Sequence, residues 1–310
     1  MYLLRECDCN GYPRKAVITK MNKQTKIGFI GAGKVGTSLG KYFSSNNISL
    51  SGYFSRTFSS SVLAAKSSSS IAFDSLSSLV RASDMIFITV PDDLISSLWE
   101  NLSSLPSDHI NNKILCHCSG SLSSRIFSSS DKYGIHPCSA HPMLAFSDKN
   151  VSHEALSKAY FTVEGDNYAL EEIKNIFSVT KNKYQIVTAE NKIKYHLACC
   201  FASNFFVASA AMASQLFLSC GIDSIESLVP LMTENVRNIV EKGISDSLTG
   251  AIERNDITTV NKHLSVLDDT DKLLYSLLSL KLIPIAEQKH PDRNYSDLKK
   301  LLQNSSEEDK

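Results

Sequence analysis

The stretch from Lys26 to Gly36, Lys-Ile-Gly-Phe-Ile-Gly-Ala-Gly-Lys-Val-Gly, constrains this chain more than any other. A short apolar run passes straight into Gly31-Ala32-Gly33-Lys34-Val35-Gly36, and a helical pattern from Thr37 to Phe43 follows. Each glycine has its own steric task. Gly31 permits a tight strand-to-helix turn, Gly33 lets a pyrophosphate approach bare backbone, and Gly36 lets the helix pack on the strand. The unpaired N–H groups at the helix start then face the anion. Glycines at this spacing are weak evidence alone; the strand before them and the helix after them supply the required context. The segment predicts a dinucleotide-binding fold with residues 31–36 against the phosphates.

Beyond this turn the pattern keeps alternating. Ile48 to Phe54 reads as a strand, Phe58 to Lys66 as a helix, Ile71 to Phe73 as a brief strand and Leu76 to Ala82 as a helix. Asp84 to Val90 is a continuous apolar run of the kind buried on both sheet faces. Pro91-Asp92-Asp93 ends it and caps a helix from Leu94 to Leu102, and Lys113 to Cys118 is a further strand ending in Ser119-Gly120-Ser121. Strand and helix in rotation imply a parallel sheet. Its strand ends at Gly31, Ser55, Pro91 and Ser119 should gather on one edge, where ligands bind in open sheets.

From about residue 145 the texture changes. Strands at Tyr160 to Glu164 and Gln185 to Val187 give way to helical patterns at Lys192 to Cys220, Ser224 to Lys242 and Thr258 to Glu287, the last broken near Asp268 and Pro284. The expected fold class is α/β, a Rossmann-type parallel sheet followed by a mainly α-helical C-terminal domain. The expected organisation is an N-terminal tail over 1–25, a dinucleotide-binding domain over 26–147, a helical substrate and dimerisation domain over 148–290, and a C-terminal tail over 291–310. The helices carry more apolar surface than one small domain buries, so a homodimer through them is expected.

At 310 residues, two domains are the better expectation. Thirty-two basic residues balance thirty-two acidic ones, so the charge points to no nucleic-acid partner and no anionic membrane surface. Apolar runs such as Met85 to Val90 are strand-sized, and no segment is expected to approach the roughly 20 apolar residues of a spanning helix. Residues 1–25 lack a signal-peptide pattern, and Met21 is an alternative start. The eight cysteines are scattered, which fits reduced thiols in the cytoplasm. Cys116-His117-Cys118, with His136, Cys138 and His141, invites a metal reading. On a strand, however, Cys116 and Cys118 share one face and His117 takes the other, and no Cys-x-x-Cys spacing occurs, so no metal is expected.

The choice of dinucleotide turns on the end of the second strand. An unphosphorylated ribose is usually held by Asp or Glu there, about twenty residues past the glycines. Here the strand ends in Ser55-Arg56-Thr57, with no carboxylate. A planar cation flanked by hydroxyls suits a 2′-phosphate, so NADP(H) is expected; a solvated turn arginine is the alternative.

The strings GFIGAGKVGTSLG, YFSRT, VPDD, HCSGSLSS, the HPM at 141–143, KYHLACCFASNF at 194–205 and LTGAIERNDITTVNKHL at 248–264 together resemble oxidoreductases that join a Rossmann-like domain to the domain of unknown function 2520. The resemblance runs from Lys26 to about Leu280. That family is similar in plan to pyrroline-5-carboxylate reductase, ketopantoate reductase and the beta-hydroxyacid dehydrogenases. It implies an NADP(H)-dependent oxidoreductase that moves a hydride between nicotinamide and a small carbonyl, imine or hydroxy acid, and it names no substrate. By the same resemblance, Val90-Pro91-Asp92 lies along the cofactor's ribose and nicotinamide, and Ser119-Gly120-Ser121 cradles a substrate carboxylate. An ordinary turn is the alternative for each.

His196, Cys200, Ser203 and Val207 recur at helical spacing, which places Ser203 above His196 with Asn204 to one side. A histidine there can give a proton to a carbonyl or imine while Ser203 or Asn204 orients it; a hydrogen-bonded core histidine is the equal alternative. The hydroxyacid dehydrogenases place a catalytic Lys four residues before an Asn on this helix, where this chain has Cys200. The proton-donor role therefore passes first to His196, with His141 second. In the run 248–256, Arg254 and Asp256 either pair with each other or reach a partner's cleft. The missing Lys keeps a second reading open, a catalytically silent dimer that binds or senses NADP(H).

Overall fold

The computed structural model describes residues 25–222 and 225–307. The expected N-terminal tail apart from Thr25, the alternative start at Met21 and the expected helix start at Ser224 lie outside the described residues. In chain order the first elements are β1 (Ile27–Ile30), α1 (Lys34–Ser45), β2 (Leu50–Phe54), α2 (Phe58–Ser67), β3 (Ile71–Ala72), α3 (Leu76–Ala82) and β4 (Met85–Ile88). There follow α4 (Ile95–Ser103), α5 (Ser107–Ile110), β5 (Ile114–His117), β6 (His136–Met143), α6 (His153–Lys158), β7 (Tyr160–Gly165), α7 (Asn167–Thr180) and β8 (Lys183–Ile186). Strands β1, β4 and β5 are buried at every residue, as the apolar sequences of β1 and β4 require, and β5 buries His117 with its apolar residues.

The strands form one sheet in the order β3-β2-β1-β4-β5-β6-β7-β8. All neighbours run parallel except β6 and β7, which are antiparallel. One apolar layer, including Phe29, Phe43 and Phe87, covers one face, and another, including Ile86, Ile88 and Trp99, covers the other. Parallel register brings the strand ends together as the alternation predicts. Gly31 N–H donates to the Phe54 carbonyl at 2.8 Å, Thr89 N–H to Ile30 at 2.8 Å, and Cys118 N–H to Ile88 at 3.2 Å. Because β6 runs parallel to β5, His141 reaches that same edge.

The sheet does not stop at residue 147. β7 and β8 extend it, and the chain divides into two compact units only at Phe206/Val207. The change in composition near 145 marks the end of strict alternation, not the end of the first unit. Strand β6 is absent from the sequence expectation because Pro137 and Pro142 and its polar residues obscure a strand whose Cys138, Ser139 and Ala140 are fully buried. Helix α7 is also absent from it, although its signal is present: Asp166 caps it by accepting from Ala169 N–H at 2.8 Å, and Ala169, Leu170, Ile173, Ile176 and Phe177 form its buried stripe.

The expected helix from Lys192 to Cys220 is two helices, α8 (Lys192–Ala202) and α9 (Asn204–Ser219). Ser203, at φ −122° and ψ −72°, breaks it. The later helices are α10 (Val229–Ser247), α11 (Ala251–Arg254), α12 (Ile257–Leu264), α13 (Asp269–Lys289) and α14 (Ser296–Glu307). The expected break near Asp268 is found, with Asp268 accepting from Asp271 N–H at 2.9 Å as the α13 cap. Pro284, in contrast, sits inside α13 without ending it. The expected C-terminal tail is corrected as well: Tyr295, Leu298 and Leu302 are buried with Ile252, Val260 and Ile283, so α14 completes a hydrophobic core. Its charged face makes the segment read as solvated, and the burial comes from tertiary packing.

A second correction concerns apolar length. Ala189–Ser219 is long and apolar enough to cross a membrane by length and composition alone, with a mean hydropathy of 1.6, and none of that window is buried. The sequence reading underestimated it because small residues dilute the run. Apolar side chains are also exposed on α10 and α13, among them Val240 at 80% and Ile244 at 65%.

Candidate functional site

The glycine turn has the three separate geometries its sequence implies. Gly31 adopts φ +107°, and a Cβ there would lie 2.8–2.9 Å from Thr89. A Cβ on Gly36 would overlap the Gly31 carbonyl oxygen and Thr89 Oγ1, so the start of α1 sits directly on the turn. At Gly33 a Cβ would meet nothing within 4 Å. Gly33 and Lys34 are exposed, Ala32 is buried and Val35 half-buried. No side chain caps α1 at Gly33. The result is open space beside the uncapped start of a helix, where the first-turn N–H groups can meet a pyrophosphate.

Beside it, Arg56 and Thr57 are exposed where β2 ends. Ser55 is different. Its hydroxyl donates to the Thr57 carbonyl at 2.8 Å and accepts from Ser61 at 3.0 Å, so it shapes the turn and leaves Arg56 and Thr57 to face a ligand. These residues fit a phosphorylated ribose by charge and by the absence of a carboxylate.

A pocket of about 420 Å³ lies at the same sheet edge, lined on one side by His141 and Met143 of β6 and on the other by His196 and Cys200 of α8 with Ser203 and Asn204 at its break. It gathers all four sequence-derived catalytic candidates, His141, His196, Ser203 and Asn204. Ser203 is not stacked above His196 on a continuous helix as expected; the break turns it and Asn204 to the pocket instead. The two imidazoles lie 6.0 Å apart, nearly perpendicular. His141 Nδ1 bonds the Tyr195 hydroxyl at 2.6 Å. Burial pushes the His141 pKa down to about 4, with Lys192 and His196 adding to the shift, so the ring is neutral at pH 7. Burial also holds the Tyr195 phenol well above its ordinary value. His196 has a buried Nδ1 without a hydrogen-bond partner, and its Nε2 lies 3.8 Å from Cys200 Sγ.

Gly120 joins the loop after β5 to both histidines. A Cβ there would lie 2.5 Å from His196 Nδ1 and 3.0 Å from His141 Nε2, so only glycine fits. Ser119 and Ser121 do not present free hydroxyls. Ser119 Oγ donates to Asp92 Oδ2 at 2.6 Å, and Ser121 Oγ donates to the same atom at 3.1 Å. Asp92, expected along the cofactor, thus clasps this loop, while Val90 is half-buried and Pro91 exposed at the end of β4.

Residues 13–142 match the Rossmann-like domain model, and residues 159–282 match the domain of unknown function DUF2520. The chain joins a Rossmann-like domain to a DUF2520 domain. Among solved structures, a candidate NADP oxidoreductase from Bacteroides fragilis is 23% identical, with a TM-score of 0.68 over 84% of this chain and 98% of that one. Protein TM1727 from Thermotoga maritima is 27% identical, with a TM-score of 0.61 over 91% and 99%. A reductive aminase from Aspergillus terreus, in complex with NADPH and ethyl-5-oxohexanoate, is 14% identical, with a TM-score of 0.58 over 91% and 93%. No curated protein matches the chain.

The pocket is built from both matched domains: the Rossmann-like domain supplies His141, and the DUF2520 domain supplies His196, Ser203 and Asn204. The same junction holds residues that sequence reasoning passed over. Tyr195, adjacent to His196, is the partner of His141. Lys192, named in the sequence only as the start of a helical pattern, is 1% exposed and its Nζ donates to the Ser119 carbonyl at 2.9 Å. The signal available was weak: Lys192 and Lys194 both open this helix, and a lysine there either snorkels out, as the exposed Lys194 does, or finds acceptors inside. Arg254 and Asp256 belong to the second unit. There Asp256 caps α12, accepting from Thr259 N–H at 3.0 Å. No group of three or more His, Cys, Asp or Glu among the described residues is placed to hold a metal ion.

Proposed function

We propose that this chain is an NADP(H)-dependent oxidoreductase that moves a hydride between nicotinamide and a small neutral carbonyl or imine. The observation that carries the reading is the open space at Gly33, beside an uncapped helix start, on the same sheet edge as a pocket containing a neutral, partnered histidine. The NADPH named with the reductive aminase, and NADP+ with an imine reductase from Myxococcus stipitatus, support the cofactor. Once bound, the cofactor supplies the hydride; the chain must position the acceptor and compensate the charge that develops on it.

His141 suits that second task better than His196. This role uses the tautomer in which the Tyr195 hydroxyl donates to Nδ1: the neutral ring of His141, which lines the pocket, then carries its hydrogen on Nε2 and can donate to a carbonyl oxygen or imine nitrogen. His196 instead packs its Nδ1 on Gly120 and turns Nε2 to Cys200, which fits orienting and space-filling. Ser203 and Asn204 complete the polar rim. A hydroxy acid fits less well than a neutral acceptor. The residues lining the pocket include no lysine or arginine, and the carboxylate of Asp92 lies against the loop expected to cradle a substrate carboxylate, holding the Ser119 and Ser121 hydroxyls.

The test is NADPH oxidation with a panel of ketones, aldehydes and imines. Turnover that prefers neutral acceptors over keto acids is expected; tight NADPH binding with no turnover would sink the enzyme reading in favour of a silent binding protein. Arg56→Ala is expected to weaken NADPH on the order of tenfold, about 1.4 kcal/mol, with NADH unchanged in calorimetric titration. Equal loss of both cofactors would remove Arg56 from the 2′-phosphate.

The exposed apolar faces of α9, α10 and α13 support a homodimer, with a second copy of this chain covering them. Light scattering without detergent is expected to give the mass of two chains. A monomer, or a protein soluble only in detergent, would overturn this reading.

A further inference from the structure

One buried charge has no task in the reaction described above. Lys192, the first residue of α8, bonds the Ser119 carbonyl at 2.9 Å and Ser139 Oγ at 3.1 Å. Ser139 Oγ in turn donates to Glu164 at 3.3 Å. The Glu164 carboxylate, on β7, also accepts from the Ser124 backbone N–H at 2.7 Å and the Ser124 hydroxyl at 2.8 Å. All four side chains are buried. Lys192 and Glu164 therefore share one serine, and each grips one end of the loop from Ser119 to Ser124. Inside that loop Ser119 Oγ accepts from Ser121 N–H at 3.2 Å and Leu122 N–H at 3.0 Å. Gly120, between the grips, lies so near both pocket histidines that a Cβ on it would meet each of them.

We propose that Lys192 is a positioning residue: by holding the Ser119 carbonyl it fixes the Ser119–Ser124 loop, and with it Gly120, against His141 and His196. A buried cation that served only stability would have no need of a backbone acceptor in this loop, and a buried ammonium is costly enough that hydrophobic replacement is often neutral. The placement gives the cation a task. It holds a loop that lacks regular backbone pairing, and its charge helps keep the neighbouring imidazole unprotonated. The groups facing His141 are Lys192, Tyr195 and His196 on α8, Asp92 after β4 and His117 on β5. Among these, Lys192 and the other histidines oppose a second positive charge, and Asp92 favours it. The role in the reaction rests on the His141 assignment, but the tether is measurable with no cofactor or substrate present.

The experiment compares the full-length parent, Lys192→Met and the charge-balanced Lys192→Met/Glu164→Gln by amide hydrogen exchange and by NMR titration of the His141 ring. In Lys192→Met the Ser121 and Leu122 amides are expected to exchange on the order of tenfold faster. The His141 midpoint should rise from about 4 toward the ordinary value of about 6.5. If Lys192→Met does not fold, the double variant is read at the same amides and the same ring. A folded variant in which either readout stays at the parent value overturns the proposal, even if its melting temperature falls, because lost packing alone would account for that fall. Failure to bind NADPH would count against the proposed function and leave the tether standing.

Discussion

Gly33→Val is expected to abolish measurable NADPH binding while leaving the protein folded. The added side chain enters a space where the structure has no atom within 4 Å, and φ at Gly33 is −81°, which any residue adopts. The fold loses only the helix-capping preference for glycine over valine, about 1 kcal/mol or less, a shift of a few degrees in melting temperature. The binding loss is of another order. A branched side chain standing where pyrophosphate oxygens meet helix N–H groups removes several charge-assisted contacts together. At least ~100-fold weaker binding, about 2.7 kcal/mol, is expected by calorimetry.

Gly36→Val, three residues on, should behave in the opposite way. Its Cβ overlaps the Gly31 carbonyl oxygen and Thr89 Oγ1, so strand, turn or helix must shift, at a cost of about 1–3 kcal/mol or more. Melting temperature and cofactor affinity should fall together. The pair thus separates a ligand contact from a packing contact within one turn. If Gly33→Val bound NADPH like the parent, the dinucleotide reading of the turn would fail.

The same contrast explains which parts of the molecule were legible beforehand. A turn of three glycines encodes its geometry locally, and strands buried on both faces encode theirs in unbroken apolar runs such as Met85–Ile88. The edge where β1, β2, β4 and β5 end followed from those alone. Strand β6 was hidden because its neighbours, and not its own composition, make it a strand: Cys138 and Ala140 are buried only once β5 and β7 flank them. The candidate site was half legible for the same reason. His141, His196, Ser203 and Asn204 could be named from residue type, and they do line one pocket. The bond between His141 and Tyr195 crosses 54 positions, and that between Lys192 and Ser119 crosses 73, so neither leaves a periodic trace. The roles expected of Asp92 and Ser119 came from the resemblance, and their 2.6 Å bond to each other, across 27 positions, was not legible in the sequence.

His141→Ala is expected to lower kcat on the order of 10²–10³-fold, with the NADPH dissociation constant and the acceptor KM changing little, because the lost donor is needed most as charge develops on the acceptor. The pH profile distinguishes this neutral donor from a charged acid. A histidine acting as an imidazolium with an ordinary pKa near 6.5 loses activity about tenfold per pH unit above that value. His141, held at about 4 by burial, is neutral throughout pH 6 to 8, so turnover should be flat there as far as this ring is concerned. The sign for stability is also fixed. Because its folded pKa lies below the unfolded one, the ring favours the fold above about pH 6.5, and that contribution fades as pH falls toward 4. Tyr195→Phe removes the hydroxyl bonded to Nδ1 and should lower kcat less than His141→Ala does, since the ring itself remains. If His141→Ala kept full turnover while His196→Ala lost it, the donor would be the ring that faces Cys200. The Tyr195–His141 bond would then serve only to join α8 to β6.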